Sequence, residues 1–152
     1  MWQRKQTIFL GLAAISMALL LFLPMVLLMS DSLVFEFNAL GWRRISGVAN
    51  AESVDFQFRL LPFALNVLVT ILAVATIFFY KKRKLQIRLS IFNLLLCVAF
   101  VGVVAFYAFT FEGGISIRPW LFLPLITMLF LYLAIRGIVA DEILIRSTQR
   151  LR

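Results

Sequence analysis

Residues 89–111 read LSIFNLLLCVAFVGVVAFYAFTF, an apolar run without one charged side chain. Its length matches the roughly 20 residues that a helix needs to cross a hydrocarbon core about 30 Å thick. Three further runs share its character, Thr7 to Met29, Leu60 to Tyr80 and Trp120 to Val139, and Arg136 is the one charge inside any of them. Charged or polar joints separate the four. The pattern predicts an all-α membrane protein, an antiparallel four-helix transmembrane bundle.

Composition agrees. The chain of 152 residues is 63% hydrophobic and 14% charged, with a mean hydropathy of +1.02, too apolar to hide that surface in a soluble core of this size. One membrane domain, residues 1–152, accounts for it. The net charge of +8 does not point to nucleic acid, because the basic residues sit in short joints beside apolar runs and not on a folded aqueous face. Anionic lipid headgroups are the simpler partner, contacted by Lys81, Lys82, Arg83 and Lys84.

Lys and Arg collect on the cytoplasmic side of membrane proteins. Arg4 and Lys5 precede the first run, Lys81 to Lys84 and Arg88 join the second to the third, and Arg136, Arg146, Arg150 and Arg152 close the chain. Only Arg43, Arg44, Arg59 and Arg118 fall in the other joints. Both termini are therefore expected in the cytoplasm, with an outer loop over residues 30–59 and a cytoplasmic tail over 140–152. Trp2 and Tyr80 at the inner boundary and Trp120 at the outer one suit the interfacial preference of aromatic rings. The first run is too long for a signal-peptide core and lacks a clear cleavage site, so it is read as a retained span.

The outer loop alternates. In Leu33 to Ala39 and again in Val54 to Leu60, apolar and polar residues follow with period two, the signature of half-buried strands. Phe35, Phe37, Phe56 and Phe58 are expected to line one face as a partner-docking surface, with Gly41 to Ser53 as the connecting turn. Ile115 to Ile117 offers a third strand. The expectation is a small extracytoplasmic β-hairpin or three-stranded sheet, which packs on the helix ends as a lid or recruits another chain at its edge.

Within the spans, polarity is sparse. Asn66 and Thr70 share one helical face, as do Ser90, Asn93 and Cys97. Asn66, Thr70 and Asn93 are expected either to hydrogen-bond between helices or to hold a polar ligand. Gly11, Ala14 and Ala18 form a small-residue stripe that permits close helix approach. Pro62 and Pro119 open their helices, while Pro24 and Pro124 are expected to kink theirs. Glu142, Arg146 and Arg150 recur every four residues, which extends the fourth helix beyond the membrane.

The absence of His removes His-ligated haem, the usual zinc sites and His-based triads. The single Cys97 has no partner for an intrachain disulfide and reads as a small packing residue. Asp31, Glu36, Glu52 and Asp55 have no spacing that distinguishes them from loop solvation. No catalytic, cofactor or metal site is expected, and the chain is not read as an enzyme.

The opening Met1-Trp2-Gln3-Arg4-Lys5-Gln6-Thr7 and the closing Asp141-Glu142-Ile143-Leu144-Ile145-Arg146-Ser147-Thr148-Gln149-Arg150-Leu151-Arg152 resemble an uncharacterised bacterial family of small four-span inner-membrane proteins, a domain of unknown function. Such families read Gln-Arg-x-Gln-Thr at the start and Asp-Glu, Arg-Ser and Arg-Leu-Arg at the finish; Gln149 stands where an acidic residue is expected. The resemblance implies a bacterial inner-membrane location and no activity. The role expected is that of a non-catalytic scaffold or accessory component, with a membrane protein partner or a second copy of itself. The alternative is a small oligomeric transporter, channel or lipid-binding protein.

Overall fold

Pro24 divides the first apolar run into two kinds of structure. The computed structural model describes residues 3–30, 33–45, 56–110 and 113–149, and the side chains within these except at 3–5, 30, 33, 45, 56, 81 and 145–149. Helix α1 covers Gln3–Leu19. Its last turn then tightens, with Leu20, Leu21 and Phe22 each donating to the carbonyl three residues back. Proline cannot continue a helix and pushes the residue before it toward extended backbone, so the chain leaves the helical path here. Strand β1 follows at Val26–Ser30.

This corrects the reading of Thr7 to Met29 as a continuous span and of Pro24 as a kink within it. A continuous apolar run fits a buried central strand as well as a helix. Met25, Val26, Leu27 and Leu28 are all buried.

Strands β2 (Leu33–Asn38), β3 (Gly41–Ile45), β4 (Phe56–Phe58) and β5 (Gly114–Ile117) complete an antiparallel sheet of five strands in the order β4-β3-β2-β1-β5. The sheet is thus larger than a hairpin or three strands, and Gly41–Ile45 is a strand where a turn was expected. The Ile115 to Ile117 strand forms, but pairs with β1. A two-residue turn joins β2 to β3: the Asn38 side-chain oxygen accepts from the Leu40 and Gly41 amides at 3.1 and 3.0 Å, and Gly41 takes φ +143°.

The other helices are α2 (Leu60–Phe78), α3 (Arg83–Thr110) and α4 (Leu123–Gln149). A short 3₁₀ turn follows α2 at Phe79–Lys81 and another precedes α4 at Pro119–Phe122. Pro124 is the second residue of α4, where its missing amide costs nothing, so it is no kink. α4 runs on to Gln149, as its charge spacing suggested. The helices pack in a closed cycle, α1 on α2, α2 on α3, α3 on α4 and α4 on α1. By length and composition, α2, α3 and the stretch Pro119–Leu144 can each cross a membrane, while the apolar part of α1 is shorter.

Two contacts set the relative heights. The Asn66 amide of α2 donates to the Met17 carbonyl of α1 at 3.1 Å, and the Cys97 thiol of α3 to the Pro124 carbonyl of α4 at 3.5 Å. Asn66 lies six residues inside the start of α2, about 9 Å, and Cys97 thirteen before the end of α3, about 20 Å at 1.5 Å per residue. α1 and α4 therefore stop well short of the C-terminal end of α3 and the N-terminal end of α2, and the sheet fills the space above them. One core runs through both parts, joining Leu10, Met17, Val69, Leu131 and Ala134 to Phe100, Val104, Met25, Leu28 and Phe37.

Candidate functional site

Antiparallel partners project to the same side of a sheet. Phe37 pairs with Trp42 and Phe35 with Arg44, and Trp42 pairs in turn with Gln57. These side chains face the helices: the Phe37 ring lies 4.8 Å from Trp42 and 5.8 Å from Tyr107 of α3. Phe58 pairs with Gly41 and so belongs to the other face, 5.2 Å from Phe63 and half exposed. The four phenylalanines therefore do not form one docking face. Phe37 is core at 1% exposure, Phe58 is not, and the Phe56 side chain lies outside the described residues. The two alternating segments are each in phase, but β3 between them sets their relative phase.

Between the sheet and the C-terminal end of α3 lies an open groove of about 430 Å³, lined by Phe35, Trp42, Arg44, Gln57, Arg59, Phe106, Tyr107 and Thr110. Its polar character comes from two arginines. Arg44 projects inward among the aromatic rings, and its Nε is buried without a hydrogen bond. Arg59 immediately precedes α2; its amide donates to the Leu40 carbonyl at 3.1 Å. Its guanidinium donates to Gln57 Oε1 at 3.5 Å and lies 5.8 Å from the centre of the Tyr107 ring. A cation over such a ring is held by about 0.5–1 kcal/mol at an exposed site. No carboxylate is among the described residues that line the groove.

The expected intramembrane polar site is arranged differently. Thr70 donates to the Asn66 carbonyl of its own helix at 2.9 Å, Asn66 reaches α1 and Cys97 reaches α4, so the α2 and α3 stripes serve different neighbours. Ser16 and Thr127 add a contact that sequence reading missed, their hydroxyls 2.6 Å apart between α1 and α4. Each is also placed to donate to its own helix, Ser16 to Ala13 and Thr127 to Leu123. A hydroxyl has one proton, so one of the two releases its backbone bond to donate across.

Asn93 is fully buried, and neither side-chain atom hydrogen-bonds within the described residues; Ser90 Oγ and Asn66 Oδ1 share that condition. An unsatisfied buried amide costs about 1–3 kcal/mol. Asn93→Leu, nearly isosteric, is therefore expected to raise the thermal unfolding midpoint in detergent. A lowered midpoint would show that the amide contributes a favourable contact.

At the opposite end, the two terminal motifs meet. Gln6 Nε2 donates to the Asp141 carboxylate at 2.5 Å. A Cβ on Gly137 would lie 3.1 Å from Gln6 Cγ, so α1 and α4 approach closely here. A Cβ at Gly11 would meet nothing within 4 Å, so the close approach is not at that member of the small-residue stripe. Arg83 donates to the Asp141 carbonyl at 3.4 Å, which ties the start of α3 to α4, while Lys82 and Lys84 are exposed. A second cavity of about 540 Å³ opens beside Gln6, Phe78, Tyr80, Arg83 and Gln86. Trp2, Asp31, Glu52, Asp55 and Arg150, and the side chains of Lys81 and Arg146, lie outside the described residues. Among the described residues no three His, Cys, Asp or Glu side chains gather as a metal site.

The groove residues Trp42, Arg44, Tyr107 and Thr110 were not anticipated as a site. One signal in the sequence bore on them: Arg43, Arg44 and Arg59 stand against the charge bias that places most of the chain's basic residues on the other side.

The chain belongs to the family described as a domain of unknown function (DUF4293), which it matches over residues 2–151. No curated protein matches it.

Proposed function

We propose that this member of an uncharacterised family is an integral protein of the bacterial inner membrane and a non-catalytic accessory component of a membrane complex. Its four helices would form an antiparallel transmembrane bundle with both termini in the cytoplasm. Three helices of spanning length support this placement, as does the cluster of basic residues just before and within the first turns of α3. The observation that carries the reading is the sheet. Five strands cap one end of the helices and leave an arginine-lined groove, which suits recognition more than chemistry.

Topology is checked by labelling single-cysteine variants in Cys97→Ser cells with a membrane-impermeant maleimide. Arg118→Cys is expected to react in intact cells and Lys82→Cys only after permeabilisation; the reverse pattern would invert the protein. The accessory role is tested by extraction in native lipid patches followed by mass spectrometry. A second protein in stoichiometric amount is the expected result, and its absence in every extract would contradict the role.

A further inference from the structure

We infer that the groove binds an anionic phospholipid of the outer leaflet, with the phosphate on Arg44 and Arg59 and the start of an acyl chain along Phe106. This rests on the membrane placement proposed above.

Charge comes first. Arg44 Nε is buried without a partner, and a buried N–H donor is costly to leave unpaired, a cost that an anionic acceptor at the groove would remove. Arg59 spends one donor on a long contact to Gln57 and presents the rest of its fork beside the same space. Two guanidinium groups lining one groove, with no carboxylate among the described lining residues, match a phosphodiester.

The remaining walls select the source of that phosphate. Phe35, Trp42, Phe106 and Tyr107 make the lining largely apolar, and a free phosphate ion would leave those rings in water. A glycerol backbone and its first methylenes would cover them. The mouth is placed for lateral entry: Phe106 on α3 is 67% exposed, and Leu60 in the first turn of α2 is 69% exposed. Both are apolar side chains at the level where Arg59 meets Tyr107. The volume of about 430 Å³ suits a headgroup and the beginning of a chain, with the rest of the lipid lying along the exposed surfaces of α2 and α3.

Trp42 in the groove is a built-in reporter. The variant Trp2→Phe, Trp120→Phe, with Trp42 as its sole tryptophan, is reconstituted into phosphatidylcholine vesicles that carry the same fraction of brominated phosphatidylglycerol or brominated phosphatidylcholine. The anionic lipid is expected to quench Trp42 more strongly. Arg44→Gln and Arg59→Gln are each expected to weaken that preference about tenfold, the loss of one charged hydrogen bond. Arg44→Lys should keep most of it, which separates loss of charge from misfolding. Arg43→Gln, on the opposite face of β3, should leave it unchanged.

Equal quenching by the two lipids, quenching by neither, or a preference that survives both glutamine variants would overturn the assignment. Abolition of the preference by inorganic phosphate would assign the site to a free anion and overturn the lipid as its occupant. Since maleimide labelling fixes the topology separately, these failures leave the membrane placement standing.

Discussion

Replacing Gly41 by alanine is expected to destabilise the protein by at least about 3 kcal/mol and to abolish the groove between the sheet and α3. Gly41 holds φ +143°, in a region that L side chains rarely adopt. An alanine Cβ would lie 2.2 Å from the Gln57 carbonyl oxygen and 2.9 Å from the Arg59 amide nitrogen. Both neighbours are backbone, so no side-chain rotation relieves the clash. The β3–β4 pairing must open or the chain around Arg59 must move, and either change displaces Arg59 from the groove that it lines with Arg44. Thermal unfolding in detergent reads the first effect, and Trp42 emission the second. A midpoint within a degree of the parent would show that the turn tolerates a side chain and that β4 is not held as described.

Phe37→Ala is expected to cost about 3–5 kcal/mol, the usual range for emptying a buried phenylalanine site, while Phe58→Ala should cost less than about 1 kcal/mol. Phe37 is enclosed by Trp42 and Tyr107 and belongs to the core shared by sheet and helices. Phe58 is half exposed on the reverse face, beside Phe63. Sequence alternation alone treats the two residues alike, so this difference isolates the contribution of the register. Comparable losses from both would mean that the β3–β4 pairing is wrong.

The sequence made the helices legible because long apolar runs between charged joints leave few alternatives. The last three runs coincide with α2, α3 and α4, although α3 begins at Arg83, six residues before Leu89, so that most of the charged joint is itself helical. Val26 to Met29 escaped for a physical reason: a central strand covered on both faces has no alternation, and after a helix it reads as more helix. Pro24 was the marker, and reading it as a kink missed the change of structure that follows it. Trp42-Arg43-Arg44 escaped because one arginine turned inward breaks the alternation that would have announced a strand. The groove could not be read at all, since it joins β3, β4 and α3 through a register fixed by pairing across the sheet.

The interhelical polar contacts show a related limit. Helical spacing places Asn66 and Thr70 on one face, but does not say which of two neighbours that face meets. The answer is α1, through the Met17 carbonyl. Gln6 and Asp141, far apart in the chain and both within the terminal motifs that suggested the family, prove to be hydrogen-bonded to each other.

The central claim is that the first apolar run changes from helix to central strand, so that a sheet and not a helix end closes one end of the helix bundle. Solid-state NMR of the labelled protein in bilayers tests it directly. Val26 to Ser30 should show β-type backbone shifts, with cross-strand contacts from Val26 to both Phe37 and Ile117. Helical shifts continuing from Leu19 through Met29, without those contacts, would contradict the architecture and the groove built on it.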